Sequence, residues 1–306
     1  MVNNKCEMMK PLVSIVCITY NHEPYLRQAL DSFLMQKTSF AYEIVLAEDC
    51  STDGTRKICA EYAAKYPDMI YYINRDHNVG YNENEYEAMS AAKGKYIAYC
   101  EGDDYWTIPD KLQRQVDFLE CHPEYSVCWH RCKHRISETG EEQEDNCGMI
   151  LPDGAEGVDL NMDTYFSGWF TQPLTMVFRK NALDLSLYHS YKYFRDMQQM
   201  YHILKNGKGY LFAFNGGIRN VHSGGISSTI SRVQYCDISL PMDGEFYWRT
   251  LDKGPKKNYL ETLEACVRTY ANVNKWKAVK CAIMRFLISG HPISLYRNIK
   301  FIVKKE

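Results

Sequence analysis

The first part of the chain alternates between short apolar runs and segments whose apolar residues recur at helical spacing. Val13–Thr19 is a continuous, β-branched run, which is typical of a strand buried on both faces. Similar runs follow at Tyr42–Ala47, Met69–Ile73 and Tyr96–Cys100. Between them, apolar side chains recur every three or four residues, as in Leu26–Leu34. This alternation predicts βαβ crossovers and a mostly parallel sheet flanked by helices.

The rhythm changes after a fifth predicted strand, Tyr125–Arg131. Residues 132–165 are polar and acidic, and they predict a long surface excursion. Regular structure is then predicted again, in this order: a strand 174-LTMVF-178, a helix from Asp196, and two short strands, 210-YLFAF-214 and 217-GIRNV-221. The remainder mixes apolar positions with Lys and Arg and predicts a helical extension.

The net charge of −2 is unevenly distributed along the 306 residues. Residues 275–306 carry eight Lys and Arg against one Glu, which leaves −9 for the rest of the chain. Such a balance does not indicate a nucleic-acid partner for the whole protein. A basic tail with interspersed aromatic residues predicts contact with an anionic membrane surface, although the same residues could form a solvated helical face.

The cysteines and the apolar runs bear on the compartment. The twelve cysteines are scattered, and Cys17, Cys59 and Cys100 lie inside apolar runs as small buried side chains do. We therefore predict reduced thiols in a cytosol. The run after Lys10 lacks a following small-residue cleavage site, so it predicts a strand and not a secretion signal. No run approaches the roughly 20 apolar residues of a membrane-spanning helix.

Acidic side chains follow two of the predicted strands. The pair 48-ED-49 ends the second strand, and 101-EGDD-104 follows the fourth. Ligands of open parallel sheets bind at the carboxyl ends of strands, and clustered carboxylates need a counter-charge or a proton. A divalent hard cation, Mg²⁺ or Mn²⁺, supplies that counter-charge through oxygen ligands. The alternative is a solvated acidic turn ahead of the helix that begins near Pro109.

The first strand ends in a hydroxyl, a phenol and an amide, from Thr19, Tyr20 and Asn21. Tyr20 could stack on a base, and Thr19 or Asn21 could form hydrogen bonds to it. Asp49 could accept a hydrogen bond from a base imide. The alternatives are that Asn21 caps the following helix and that Asp49 is a turn residue.

Four segments occur along the chain in this order: VSIVCITYN, EIVLAEDCSTDGT, NVGYNENEYEAMSAAKGKYIAYCEGDDYW and IPDKLQRQ. Together they strongly resemble the family 2 glycosyltransferases, which have a Rossmann-like GT-A fold. The resemblance covers residues 12–130 and extends more loosely to about residue 230. It implies a glycosyltransferase domain over 10–230, with a nucleotide-sugar-binding half to 130 and an acceptor and catalytic half over 131–230. A helical, basic extension over 231–306 follows.

This resemblance implies inverting transfer of a sugar from a nucleoside-diphosphate sugar, usually a UDP-sugar, to a glycan or lipid-linked acceptor in cell-surface polysaccharide synthesis. The implied donor-binding residues are Thr19, Tyr20, Asn21, Asp49, Gly80, Asn84 and Asp103. The implied ligands of Mg²⁺ or Mn²⁺ are Asp103, Asp104 and His222. The chain departs from the family pattern at Cys50, where Gly or Asn is common, and at Glu48 and Glu101, where Asp is frequent.

Asp196, at the start of a predicted helix, matches the position of the catalytic base in the family. It is preceded by Arg195, where the family usually has Glu or Gly, and it could instead be a helix residue favoured by the dipole. His222 matches a position that approaches the diphosphate or its metal. The alternative for His222 is an exposed loop residue. Arg219 and Arg232 are weaker candidates for phosphate contacts.

Other residues near the acceptor half allow further interpretations. Cys128, His130, Cys132 and His134 alternate like a zinc site, but on a strand the outer pair would lie about 20 Å apart. Trp129, Trp169 and Phe170 could stack on sugars, or pack in a core. The glycines and Ser227–Ser228 after His222 predict a mobile flap over the donor.

Two other function classes stay open on the residues alone. A nucleotidyltransferase would need a Gly-rich, basic phosphate loop after the first strand, where this chain has 18-ITYNHEPYL-26. A non-catalytic sugar- or nucleotide-binding module is disfavoured by the presence of Asp103, Asp104 and Asp196. The expectation is thus a cytoplasmic glycosyltransferase that can rest on the inner face of the plasma membrane.

Overall fold

A computed structural model describes residues 10–145, 150–168, 171–224 and 230–303. The chain divides into two compact units. Within the described residues, the first unit comprises 10–145, 150–165, 171–190 and 195–221. The second unit comprises 166–168, 191–194, 222–224 and 230–303.

The first unit is built on a sheet of ten strands among the described residues. They are β1 (Val13–Thr19), β2 (Tyr42–Glu48), β3 (Ile70–Asn74), β4 (Tyr96–Tyr99), β5 (Tyr105–Trp106), β6 (Tyr125–Ile136), β7 (Glu142–Glu144), β8 (Gly157–Leu160), β9 (Val177–Arg179) and β10 (Lys208–Val221). The order is β3-β2-β1-β4-β9-β6-β10-β5, with β7 on β6 and β8 on β10. The block β3-β2-β1-β4 is parallel, as the alternation of strands and helices predicts, and β9 runs antiparallel to both of its neighbours.

Helices cover this sheet. They are α1 (Leu26–Leu34), α2 (Thr55–Lys65), α3 (Tyr81–Ala91), α4 (Lys111–Cys121), α5 (Met162–Tyr165), α6 (Leu187–Ser190) and α7 (Asp196–Leu204), with 3-10 turns at Pro173–Thr175 and Lys180–Ala182. In the apolar stripe predicted for α1, Leu26, Ala29, Leu30 and Phe33 are fully buried and Leu34 is partly buried. Each fully buried Leu or Phe side chain contributes roughly 1.5–3 kcal/mol through removal from water. The Phe33 ring packs on Trp106 of β5, with ring centroids 4.8 Å apart, so α1 is held against that strand.

Every residue of β1 is buried, and β1 pairs with β2 on one side and β4 on the other. A continuous apolar run is what such a central strand requires. The first apolar run is therefore a strand, as predicted. The ten cysteines within the described residues are all free thiols.

The polar excursion predicted over 132–165 contains regular structure. β6 continues to Ile136 and pairs with β7, so the prediction of a long loop was wrong there. Strand β8 and helix α5 lie in the same region. The pairing joins exposed charges: Lys133 Nζ lies 3.2 Å from Glu142 Oε2. A strand held by such pairs lacks the apolar alternation by which strands are recognised.

Three other predicted strands differ in extent. The segments 210–214 and 217–221 form one strand, β10, whose register on β6 shifts between Leu211 and Gly217. These irregularities coincide with the gap between the two predicted strands. The segment 174–178 begins as a 3-10 turn after Pro173, and only its end belongs to β9.

The second unit is helical, as predicted for the C-terminal region. Its helices are α8 (Arg232–Thr250), α9 (Lys253–Tyr270), α10 (Lys275–Ser289) and α11 (Pro292–Val303). Ser231 caps α8, Asn274 caps α10, and Gly290 ends α10 at a φ of +71°. Among the described residues, no helix carries an apolar stretch long enough to cross a membrane.

Candidate active site

The ends of β2, β1 and β4 bring three polar segments of the first unit side by side. The Asp49 N–H donates to the Thr19 carbonyl at 3.1 Å, and the Gly102 N–H donates to the Ile18 carbonyl at 3.0 Å. A Cβ at position 102 would lie 2.7 Å from Thr19 Oγ1, so glycine is needed for this approach. The residues that follow the three strands therefore lie along one sheet edge.

Glu101, Asp103 and Asp104 form a cluster of carboxylates at this edge. Each offers an oxygen within 4.8 Å of the others. Burial, and then the charge of Asp103, raises the pKa of Glu101 and of Asp104 well above their usual values. The charge of Asp196 raises the pKa of Glu101 further. Without a cation, these groups cannot all be ionised at low cost.

Asn220 of β10 holds this cluster in place. Its backbone N–H donates to Asp104 Oδ1 at 2.8 Å, and its Nδ2 donates to the Asp103 carbonyl at 2.6 Å. The antiparallel pairing of β5 with Gly217 and Ile218 of β10 brings Asn220 into this position. A strand from late in the chain thus fixes the acidic turn.

The carboxylate set fits a divalent hard cation. Oxygen ligands suit Mg²⁺ and Mn²⁺, and a bound cation would favour the ionised form of each group. The predicted ligands Asp103 and Asp104 are brought together, and Glu101 joins them. His22 also lies close, with Nε2 at 3.7 Å from Asp103 Oδ2. His222 belongs to the second unit, and its part in metal binding stays a prediction.

Asp49 is buried and closes a loop over the end of β2. Its Oδ1 accepts from the Val79 N–H at 2.8 Å, and its Oδ2 accepts from the Gly80 N–H at 2.9 Å. Gly80 adopts a φ of +84°, which favours glycine. The second lone pair of each carboxylate oxygen could still accept from a base, so the base contact stays a prediction.

Asn84 is also engaged within the protein. Its Oδ1 accepts from Arg75 Nε at 3.1 Å, and its Nδ2 donates to the Ala47 carbonyl at 3.2 Å. The side chain therefore ties α3 to the end of β2. These contacts do not test the prediction that Asn84 and Gly80 approach the donor.

Thr19 ends β1, and it differs in its surroundings from the next two residues, Tyr20 and Asn21. Tyr20 is 43% exposed, so its ring is available for stacking. Asn21 has a φ of +55° and its Oδ1 accepts from the Thr52 N–H at 2.8 Å. It is not a helix cap, because α1 begins at Leu26 with Tyr25 in the cap position. The buried hydroxyl of Thr19 has no hydrogen-bond partner among the described residues.

Asp196 is the first residue of α7, as predicted, and is partly exposed. The Tyr81 hydroxyl donates to its Oδ1 at 3.3 Å. The Arg195 guanidinium lies over the Tyr81 ring, 4.7 Å from its centroid. Burial raises the pKa of Asp196 above its usual value, against the opposing charge of Arg195. A carboxylate of raised pKa is a better proton acceptor than a solvated one.

Glu85 of α3 is a second carboxyl group near Asp196. Burial, and then the charge of Asp196, raises the pKa of Glu85 to about 8. Gln199 Nε2 donates to Glu85 Oε1 at 3.2 Å. Glu85 is therefore mostly protonated at neutral pH, and the role of its neighbour Asp196 as a proton acceptor stays a prediction. Two acids with different environments in this way have different chemical roles.

Five residues of this site were not chosen from the sequence as site residues: His22, Tyr81, Glu85, Glu101 and Asn220. Tyr81 and Glu85 lie within a segment that carries the family resemblance, but their burial depends on α7. Asn220 lies on a strand whose pairing is long-range, and local pattern gives no signal of it.

The remaining candidates have other surroundings. The strand β6 runs through Cys128, His130, Cys132 and His134. Trp129 is buried and stacks on Tyr165, with centroids 6.4 Å apart, so it packs in the core. Trp169, Phe170 and the flap at Ser227–Ser228 lie outside the described residues. The roles predicted for Arg219 and Arg232 stay predictions.

A model of the glycosyl transferase family 2 matches residues 14–210. An uncharacterized protein of Mycobacterium tuberculosis is 42% identical over 168 residues, which cover 55% of this chain and 47% of the relative. TuaG of Bacillus subtilis, described as a teichuronic acid biosynthesis glycosyltransferase, is 36% identical over 110 residues, which cover 36% of this chain and 42% of TuaG. The chain thus spans about half the length of the curated relatives that it matches.

Solved structures share the fold. Staphylococcus aureus TarS 1–349 in complex with UDP-GlcNAc has a TM-score of 0.66 at 17% identity, covering 96% of this chain and 89% of that one. A mannosyltransferase of Pyrobaculum calidifontis in complex with GDP-Man and Mn²⁺ has a TM-score of 0.53 at 16% identity, covering 95% of this chain and 79% of that one. At these identities the likeness establishes the GT-A type of fold alone.

Proposed function

Since the chain belongs to glycosyl transferase family 2, we propose that it transfers a sugar from a nucleoside-diphosphate sugar to an acceptor hydroxyl, with inversion. The carboxylates of Glu101, Asp103 and Asp104, within 4.8 Å of one another beside the end of β1, are the observation that carries this proposal. We propose a UDP-sugar as donor and a glycan or lipid-linked acceptor in cell-surface polysaccharide synthesis. The UDP-GlcNAc bound by TarS and the teichuronic acid role given for TuaG support these choices.

Asp103 and Asp104, with Glu101, would hold Mg²⁺ or Mn²⁺, and the cation would offset the charge that develops on the departing diphosphate. Asn220 holds the Asp104 carboxylate and the Asp103 main-chain carbonyl in place before any ligand binds. Preorganised groups of this kind do not have to reorient during the reaction. Tyr20 provides an exposed ring on which the nucleobase of the donor would stack. Asp49 holds the loop at Val79 and Gly80 in place.

Asp196 acts as the general base in this proposal. It takes the proton of the acceptor hydroxyl as that oxygen forms a bond to the anomeric carbon of the donor. The bond from that carbon to the diphosphate oxygen breaks, and its electron pair leaves with the nucleotide. Attack on the face opposite the leaving group inverts the anomeric centre. Glu85 is unsuited to this role at neutral pH because it already carries a proton.

A nucleotide-release assay tests the proposed reaction. The full chain is incubated with UDP-, GDP- and dTDP-sugars and Mn²⁺ or Mg²⁺, and free nucleotide is measured. We expect metal-dependent release of UDP from at least one UDP-sugar, because the carboxylate cluster needs a cation to accommodate a diphosphate. Release that persists undiminished in EDTA, or no release from any donor, would contradict the proposal.

The second unit is proposed to rest on an anionic membrane surface on the cytoplasmic side. Exposed apolar side chains recur along α10 and α11, among them Trp276, which is 79% exposed, and Leu287, which is 67% exposed. Basic residues are interspersed with them, including Lys280 and Lys300. Apolar side chains flanked by lysines are suited to the interface of an anionic bilayer.

Flotation with phosphatidylglycerol vesicles tests this contact. The variant Trp276→Ser/Leu287→Ser should partition at least about tenfold less than the parent, because each lost side chain removes roughly 1.5–3 kcal/mol of apolar burial. Point changes are needed because α10 also supplies the core of the second unit, through Ala278 and Ala282. Tyr71→Ser, at an exposed site of the first unit, is the matched control. Equal flotation of the parent and the double variant would refute the contact.

A further inference from the structure

The helices of the second unit line a partly open cavity of about 460 Å³ that the proposed transfer does not use. Its walls come from α9, α10 and α11 and include Arg268, Arg285 and Arg297. A neighbouring cavity of about 620 Å³ shares the first two arginines and adds Lys253 and Lys256. Positive side chains from three helices thus converge on one region.

The positive charge of this region is only partly compensated. Glu264 is the carboxylate of the smaller cavity, and it serves two arginines. Its Oε1 lies 3.2 Å from Arg268 Nη2, and its Oε2 lies 3.2 Å from Arg285 Nε. Arg297 has no ion-pair partner among the described residues. The lining therefore keeps a net positive charge.

Buried polar atoms of the lining lack acceptors. Asn298 is 6% exposed, and its Nδ2 has no hydrogen-bond partner among the described residues. The buried Nε of Arg285 is close to Glu264 in distance, but the angle is too poor for a hydrogen bond. Buried donors of this kind cost free energy unless an acceptor reaches them. An anionic ligand in the cavity would supply that acceptor.

We propose that this cavity binds a phosphate group, carried either by a phospholipid headgroup or by a soluble phosphoester. Guanidinium groups match phosphate oxygens through paired N–H donors, and the amide of Asn298 adds a neutral donor. Arg297 is the main contact, because it is the arginine of the smaller cavity without a carboxylate partner in the described residues. The site lies wholly in the second unit and does not depend on the reaction of the first.

Calorimetry on the full chain tests the site with two probes: inorganic phosphate, and dihexanoyl phosphatidylglycerol below its micelle concentration. EDTA is present, so that the acidic cluster of the first unit carries no cation. Arg297→Gln should weaken binding of the preferred probe by about tenfold, as expected for the loss of a charged hydrogen bond. Lys65→Gln, which removes the same charge from an exposed position of α2 in the first unit, should leave it unchanged.

The outcomes distinguish the two sources of the phosphate group and also decide whether the proposal holds. Tighter binding of the lipid identifies a headgroup, and equal or tighter binding of inorganic phosphate identifies a soluble phosphoester. No binding of either probe, or equal weakening by both variants, overturns the proposal. Should Arg297→Gln unfold, Arg268→Gln provides the same comparison at a side chain that is 70% exposed. Nucleotide release, measured in parallel, distinguishes failure of this site from failure of the proposed reaction.

Discussion

Replacing Asp196 by Asn is expected to lower the rate of sugar transfer by about 10³-fold, within the range for loss of a general base. The amide has the same shape and can still accept from the Tyr81 hydroxyl, but it cannot take a proton. The affinity for UDP should be unchanged, because the role proposed for Asp196 is toward the acceptor and not toward the nucleotide. Transfer is measured by nucleotide release with acceptor present, and UDP binding by calorimetry.

Glu85→Gln is the matched control for that experiment. Glu85 is close enough to Asp196 for their charges to interact, and its pKa of about 8 leaves it neutral at pH 7. A neutral glutamine should therefore preserve most of the activity at that pH. If Asp196→Asn transfers at the parent rate, or if Glu85→Gln is equally inactive, the base has been assigned to the wrong residue.

The double variant Asp103→Asn/Asp104→Asn is expected to lose affinity for Mn²⁺ by more than about 100-fold. Loss of groups that only support a metal ligand already costs 10- to 100-fold, and these two would be ligands themselves. Binding of UDP should then become weak and insensitive to Mn²⁺. Both quantities are measured by calorimetric titration of the parent and the variant.

The electrostatics of the cluster provide a check on folding in that experiment. Mutual repulsion and burial raise the pKa of Asp104, so removing charge should not lower the metal-free melting temperature. Asp117→Asn, at an exposed position of α4, removes a charge without touching the cluster and is the control. Unchanged Mn²⁺ affinity in the double variant would show that the cation, if it binds, is held elsewhere.

The sheet edge was predictable because its determinants are local. Continuous apolar runs identify buried strands, and the positions where β1, β2 and β4 end are marked by the first polar residues after each run. Once those strands are adjacent and parallel, their ends must meet. The proximity of Thr19, Asp49 and Gly102 follows from that order.

The partners of the acidic residues were not predictable in the same way. The hydrogen bonds from Asn220 depend on the pairing of β5 with β10, which joins segments more than a hundred residues apart. The protonation of Glu85 depends on its burial beside Gln199 of α7. Sequence periodicity reports which face of an element is buried, but it does not report what that face meets. The polar end of β6 was missed because charge pairs replace apolar contacts there.

Because of Asn220, the acidic site extends beyond the end of the family match along the chain. The family match ends at residue 210, yet the residue whose backbone N–H and side-chain amide hold the acidic turn comes ten residues later. A recombinant fragment that ends at residue 210 would keep Glu101, Asp103 and Asp104 but would lose the hydrogen bonds from Asn220 to this acidic turn. Conversely, Asn220→Ala would remove the hydrogen bond to the Asp103 carbonyl and keep the backbone hydrogen bond to Asp104, without altering any of the groups that would bind the cation.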